Sequence, residues 1–216
     1  MIKKILSLGL ILFSSSIYSQ AGTLDSTFGT SGKVLTNLSS NNEEGRGVAI
    51  QADGKIVVAG YASVTNGYDF AVLRYNTDGT IDTTFGNSGV VTLNVSNYDM
   101  AYAVKISADN KIYVAGVVGA TSFYGGWNLG VVRLNTDGTI DTTFGTNGAA
   151  TVGFPGTDYF TNMTLQNDGK IVLCGYTVLD VTGNYSDYSI ARFNTDGTLD
   201  FDFSNDGKTT VDFNSD

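Results

Sequence analysis

Asn76-Thr77-Asp78-Gly79-Thr80 recurs at 135–139 and again at 194–198, a constant step of 59 residues. The arginine before each copy keeps the step (Arg74, Arg133, Arg192), as do the phenylalanines after it (Phe85, Phe144, Phe203). Phe28 stands one repeat earlier at a slightly shorter interval. A fixed period of this length is the mark of one supersecondary unit stacked on copies of itself. The repeats run 24–80, 81–139 and 140–198, with a partial fourth over 199–216.

Each unit reads as four short strands, rich in Val, Ile, Ala, Tyr and Phe and bounded by turn residues. In the first unit they are Lys33–Leu38, Gly47–Gln51, Lys55–Tyr61 and Phe70–Asn76. The second and third strands are joined by Ala52-Asp53-Gly54, Ala108-Asp109-Asn110 and Asn167-Asp168-Gly169. Asp-Gly between apolar runs is a hairpin signal because Gly accepts positive φ, and Asn is the next most tolerant residue there. No segment carries an apolar stripe of helical period with caps. In Phe70–Tyr75 both alternating faces are largely apolar, so the sheet is expected to be covered on both sides. Stacked four-stranded antiparallel units make an all-β, β-propeller-like array of about three blades plus part of a fourth, an incomplete ring.

These strings resemble a known family. The patterns at Leu24–Gly32, Asp53–Gly60 and Asp69–Thr80, each recurring twice more, are similar to the delta-60 repeat of exported bacterial proteins. The resemblance implies a propeller-like repeat on secreted or cell-surface proteins. In Bacteroidota such arrays often precede a C-terminal domain for type IX secretion. It implies no catalytic residue.

Lys3 and Lys4, the apolar run Ile5–Phe13 and the small residues to Ser19 form the pattern of a secretory signal peptide, with cleavage expected after Ser19. The repeat domain then occupies 20–216. The apolar run is too short to span a membrane, which takes roughly 20 residues. The chain carries a net charge of −9, and loss of Lys3 and Lys4 takes it to −11, which argues against a nucleic-acid partner. One cysteine, Cys174, excludes a disulfide framework. It aligns with Ala59 and Ala115 and is expected to be a small buried residue.

The sequence contains no His, so His-based triads and His metal sites are ruled out. Asn76–Asp82 and its copies have alternating oxygen ligands like a calcium loop, but lack the full pattern with a distant Glu. Asn and Asp also close turns on their own backbone, and neither a metal nor a cofactor is assigned. The repeated arginines are expected to pair with Asp82, Asp141 and Asp200 of the same repeat as structural cement. Glu43-Glu44 reads as a solvated loop, and no catalytic set is visible.

The variable loops between third and fourth strands hold Tyr68, Tyr124, Trp127 and Tyr185 among Gly, Ser, Thr and Asn. Aromatic faces beside amides and hydroxyls suit sugars or peptides, and the same rings could instead pack between blades. The expectation is a non-enzymatic secreted or surface scaffold, adhesion or binding module. The alternatives are lectin-like carbohydrate binding and a carboxylate-based hydrolase. Expected partners are a glycan or surface protein, further repeats of a longer chain, or a second copy.

Overall fold

The computed structural model describes residues 22–38, 42–65, 67–119, 126–179 and 185–212. The segment read as a signal peptide lies outside them. Twelve strands form three four-stranded antiparallel sheets, and the described residues contain no helix. The first sheet comprises β1 (Glu43–Ile50), β2 (Ile56–Val64), β3 (Gly67–Tyr75) and β4 (Val90–Leu93), in that order. The second comprises β5 (Met100–Ile106), β6 (Ile112–Val118), β7 (Asn128–Leu134) and β8 (Ala149–Val152). The third comprises β9 (Thr157–Leu165), β10 (Ile171–Val178), β11 (Ser186–Phe193) and β12 (Lys208–Val211). The sheets stack in sequence, β5 on β1–β3 and β9 on β5–β7, as an open, not closed, array of propeller blades.

Sheet and sequence repeat are offset by one strand. The first strand of each sequence unit pairs with the last strand of the unit before it: β4 on β3, β8 on β7 and β12 on β11. Residues 208–211, which open the partial fourth unit, thus complete the third sheet. The expected strand Lys33–Leu38 does not form: Lys33 makes isolated bridges to Gly29 and Thr30, and 34–38 have no strand conformation. Its counterparts each have a preceding sheet to join, and the described residues supply none for it. Glu43 and Glu44 are likewise not a loop but open β1, where the Glu43 carboxylate accepts the Leu38 N–H at 2.8 Å.

Two apolar layers hold the stack. In β6, Ile112, Val114 and Val118 pack toward the first sheet, with Val57, Ala59, Phe70 and Val72. Tyr113, Ala115 and Val117 pack toward the third, with Leu129, Met163, Ile171 and Leu173. Strand alternation therefore sends apolar groups both ways from the central sheet, as the doubly apolar strands require. Burying each large side chain contributes roughly 2 kcal/mol. We call the face of each sheet turned toward the next sheet its leading face, and the opposite one its trailing face.

Cys174 departs from expectation. It is half-exposed, whereas its counterparts Ala59 and Ala115 are fully buried. All three sit on leading faces, but no described element lies beyond the third sheet.

A backbone irregularity recurs in each innermost strand. Register shifts lie between Gly45 and Gly47, between Ala101 and Ala103, and opposite Cys174/Gly175. The bulged strand's carbonyl crowds the neighbouring strand, so that strand carries a glycine: a Cβ on Gly116 would lie 2.0 Å from the Met100 carbonyl oxygen. Gly60 and Gly175 answer Glu44 and Tyr159 in the same way.

Candidate functional site

The repeated charges fold into one cluster per blade. Asp82 Oδ2 accepts from Lys55 Nζ at 2.8 Å and from Arg74 Nε at 2.7 Å. Asp141 does the same with Lys111 and Arg133, and Asp200 with Lys170 and Arg192. The second oxygen of Asp82 takes the N–H and hydroxyl of Thr84, and that of Asp141 those of Thr143. Each guanidinium also lies over the phenylalanine that follows it in the sequence: Phe85 at 4.5 Å, Phe144 at 4.7 Å, Phe203 at 5.0 Å. At Asp82 burial opposes ionisation, yet Lys55, Thr84 and Arg74 outweigh it and hold the carboxyl well below its usual range. Asp141 behaves alike, and the Lys170 ammonium is the main cause of the lowered pKa of Asp200.

The same turns clasp neighbouring blades. Gly86 N–H donates to the Asp137 carbonyl at 2.8 Å, and Gly145 N–H to that of Asp196 at 2.7 Å. Arg74 Nη1 donates to the Thr136 carbonyl, and Arg133 Nη1 to that of Thr195 at 2.6 Å. Gly138 faces the preceding blade so closely that a Cβ there would lie 2.9 Å from Gly86 N. Within the turn, Asp78 Oδ1 accepts from Thr80 N (2.9 Å) and Thr80 Oγ1 (2.7 Å), and the copies at 137 and 196 do likewise. One carboxylate oxygen of each turn that resembled a calcium loop is thus engaged in closing the turn.

At the other end of the sheets, the described residues around the connections that follow β2, β6 and β10 form a rim with several aromatics. Tyr68 is half-buried, edge-on to Tyr61 at 5.2 Å and tilted against Tyr98 at 6.4 Å. Trp127 is 7% exposed and edge-on to Tyr159 at 5.4 Å, and Tyr159 stacks on Tyr176 at 4.8 Å. Tyr185 is 65% exposed, and Tyr124 lies outside the described residues. The structure therefore places Tyr68 and Trp127 in packed rows between blades and leaves Tyr185 exposed.

Two features of this rim escape sequence reasoning. Arg46, at the first bulge, pairs with Glu44, donates to Tyr61 Oη at 3.4 Å, and lies 5.6 Å from the ring centre of Tyr102, the residue at the second bulge. Tyr102 in turn stacks on Phe160 at 6.3 Å. Asp99 and Asp158 are fully buried. Asp99 accepts the Val95 and Ser96 N–H groups, both at 2.7 Å, and Asp158 accepts that of Phe154 at 3.0 Å. Burial pushes both carboxyls up. The signal was present, since Asp99 and Asp158 are 59 residues apart and so belong to the repeat.

Among the described residues, no group of three or more Cys, His, Asp or Glu side chains is arranged to hold a metal ion. No described helix is long and apolar enough to cross a membrane. No curated protein matches the chain. A family model described as a domain of unknown function (DUF5122) beta-propeller matches residues 51–85, 107–144 and 166–203. Each match begins at the hairpin before the second strand of a sheet and ends at the phenylalanine under the arginine, so it encloses one full Lys–Asp–Arg cluster. These segments make up just over half of the sequence, and the chain belongs to the DUF5122 beta-propeller family.

Proposed function

We propose that this chain is a non-catalytic, exported binding module that presents its loop rim to a glycan or surface protein. One observation supports the reading: the charged groups repeated in every blade are engaged in cementing that blade, while the sequence itself varies between repeats in the stretches that follow β2, β6 and β10. Tyr68 and Trp127 sit in packed rows next to these stretches, and Tyr185 offers an exposed ring next to the exposed Ser186. Export rests on the basic, apolar, small-residue order of residues 1–19. A glycan array and a capture assay with surface-protein extracts test the proposal. Binding that Tyr185→Ala abolishes without changing the melting temperature supports it. Binding untouched by Tyr185→Ala, or turnover of a glycan on the array, overturns it.

A further inference from the structure

The leading face of the third sheet repeats, position for position, two faces that are already buried. Val172, Cys174, Tyr176, Tyr188, Ile190 and Val211 stand where the first sheet has Val57, Ala59, Tyr61, Phe70, Val72 and Leu93. In the first sheet these are buried against the second sheet, apart from Tyr61, which packs at its edge. In the third, Tyr176 is 41% exposed, Tyr188 62% and Val211 40%. An apolar face of this kind marks a contact surface, because an end sheet facing water is normally polar.

The clasp is half present as well. Arg192 keeps its bond to Asp200 and its place over Phe203, as Arg74 and Arg133 do in their blades. Among the described residues it has no carbonyl across a blade boundary. Ser204 replaces Gly86 and Gly145 yet holds φ at 54°, against 52° for both glycines. A side chain is disfavoured in that region, so the turn keeps the clasping shape against local preference.

The matching half lies at the other end of the array. Thr77 and Asp78 supply the carbonyls of the first turn, and the trailing face of the first sheet carries Val58, Ala71, Leu73 and Tyr75 along a groove of about 540 Å³. Residues 24–38 occupy that position. Gly29 N–H donates to the Asp78 carbonyl at 2.8 Å, and Tyr75 Oη bonds Thr36 Oγ1 at 2.8 Å. Phe28 and Gly29 press on Gly79 as Phe144 and Gly145 press on Gly197. The fit is poorer along 34–38, where Leu35 is 98% exposed.

We propose that the leading face of the third sheet docks a second copy of this chain, head to tail, against the trailing face of that copy's first sheet. Residues 24–38 are the competing cap. Arg192 then donates to the Thr77 carbonyl and Ser204 N–H to the Asp78 carbonyl, continuing the contact that already joins the blades within the chain. Phe203-Ser204 of one copy and Phe28-Gly29 of the other need the same place on Gly79, so docking and capping exclude one another. A heterologous contact of this kind closes a ring or extends as a filament.

Analytical ultracentrifugation of the processed chain over a concentration series tests this, with circular dichroism to verify folding. The wild type is expected to show reversible, concentration-dependent association. Ile190→Asp, and separately Tyr188→Lys, should leave a folded monomer. Gly29→Val should tighten association about tenfold by releasing the cap, which raises the competent fraction. A Cβ on Gly29 would lie 2.4 Å from the Lys33 carbonyl oxygen, so the cap cannot keep its shape. Cys174 should be protected from thiol reagents in the associated state and form no intersubunit disulfide. Folded monomers for all variants at every concentration, association unchanged by Gly29→Val, or a Cys174–Cys174 disulfide dimer from face-to-face pairing would each overturn the proposal.

Discussion

Arg74 donates through Nη1 to the backbone carbonyl of Thr136, across the boundary between the first and second sheets. The same guanidinium bonds Asp82 through Nε within its own blade. One side chain thus fixes the inside of a blade and its seat on the next. Asp82 in turn has two cations to neutralise, Arg74 and Lys55.

Replacing Asp82 by Asn leaves Arg74, whose side chain is 6% exposed, without its counter-charge. Breaking one side of a buried ion pair costs about 3 kcal/mol or more. A clear fall in the urea midpoint is expected, with the slope of the transition retained. Asp200→Asn should fall less, because the Arg192 side chain is 21% exposed and can draw on water.

Gly116→Ala sets a methyl group 2.0 Å from the Met100 carbonyl, where two backbones meet and neither can give way. We expect a loss of about 3 kcal/mol or more, or failure to fold. Gly119→Ala is the control: its nearest neighbour would be Asn128 Nδ2 at 3.6 Å, and its only handicap is φ of 82°. It should cost about 1 kcal/mol. Thermal melts of the two variants side by side decide the matter.

The acid limb of stability should have two parts. Asp82, Asp141 and Asp200 have lowered folded pKa values, so their contribution is complete above the unfolded value of 3.8 and is lost as pH falls below it. Asp99 and Asp158 have raised values, so between 3.8 and those values the folded chain binds more protons than the unfolded one. Their effect makes stability fall as pH rises through that window. Urea titrations are expected to find a maximum close to the unfolded value of 3.8, with a decline as pH rises above it and a steep loss as pH falls below it. Asp99→Asn should flatten the first slope and leave the second.

Trp127 and Tyr185 should separate structure from surface. Trp127→Ala empties a site that is 7% exposed and should cost about 3–5 kcal/mol. Tyr185→Ala removes a ring that is 65% exposed and should stay within about 0.5 kcal/mol of wild type. Differential scanning calorimetry distinguishes the two.

The strand pattern, the tight Asp-Gly turns and the pairing of Arg74 with Asp82 were all legible in the sequence, because each depends on neighbours or on the repeat itself. Asn110 takes φ of 61° in a hairpin turn where Gly54 and Gly169 stand, as its tolerance suggested. The offset between repeat and sheet was not legible: a period has no phase, so nothing in Lys33–Leu38 says that its partner strand must come from a preceding unit. Nor could local sequence separate Cys174 from Ala59, since exposure at that position depends on whether another sheet follows. Tyr68, Trp127 and Tyr185 sit in stretches of similar composition, and only the neighbouring sheets decide which ring is packed.

The one-strand offset has a consequence for how such a gene can grow. Any in-frame duplication of 59 codons, wherever it starts, supplies four consecutive strands, the equivalent of one further sheet. The inserted stretch meets a fitting neighbour on both sides, so recombination need not respect a structural boundary. Array length can therefore drift between descendants by whole blades while every sheet stays complete.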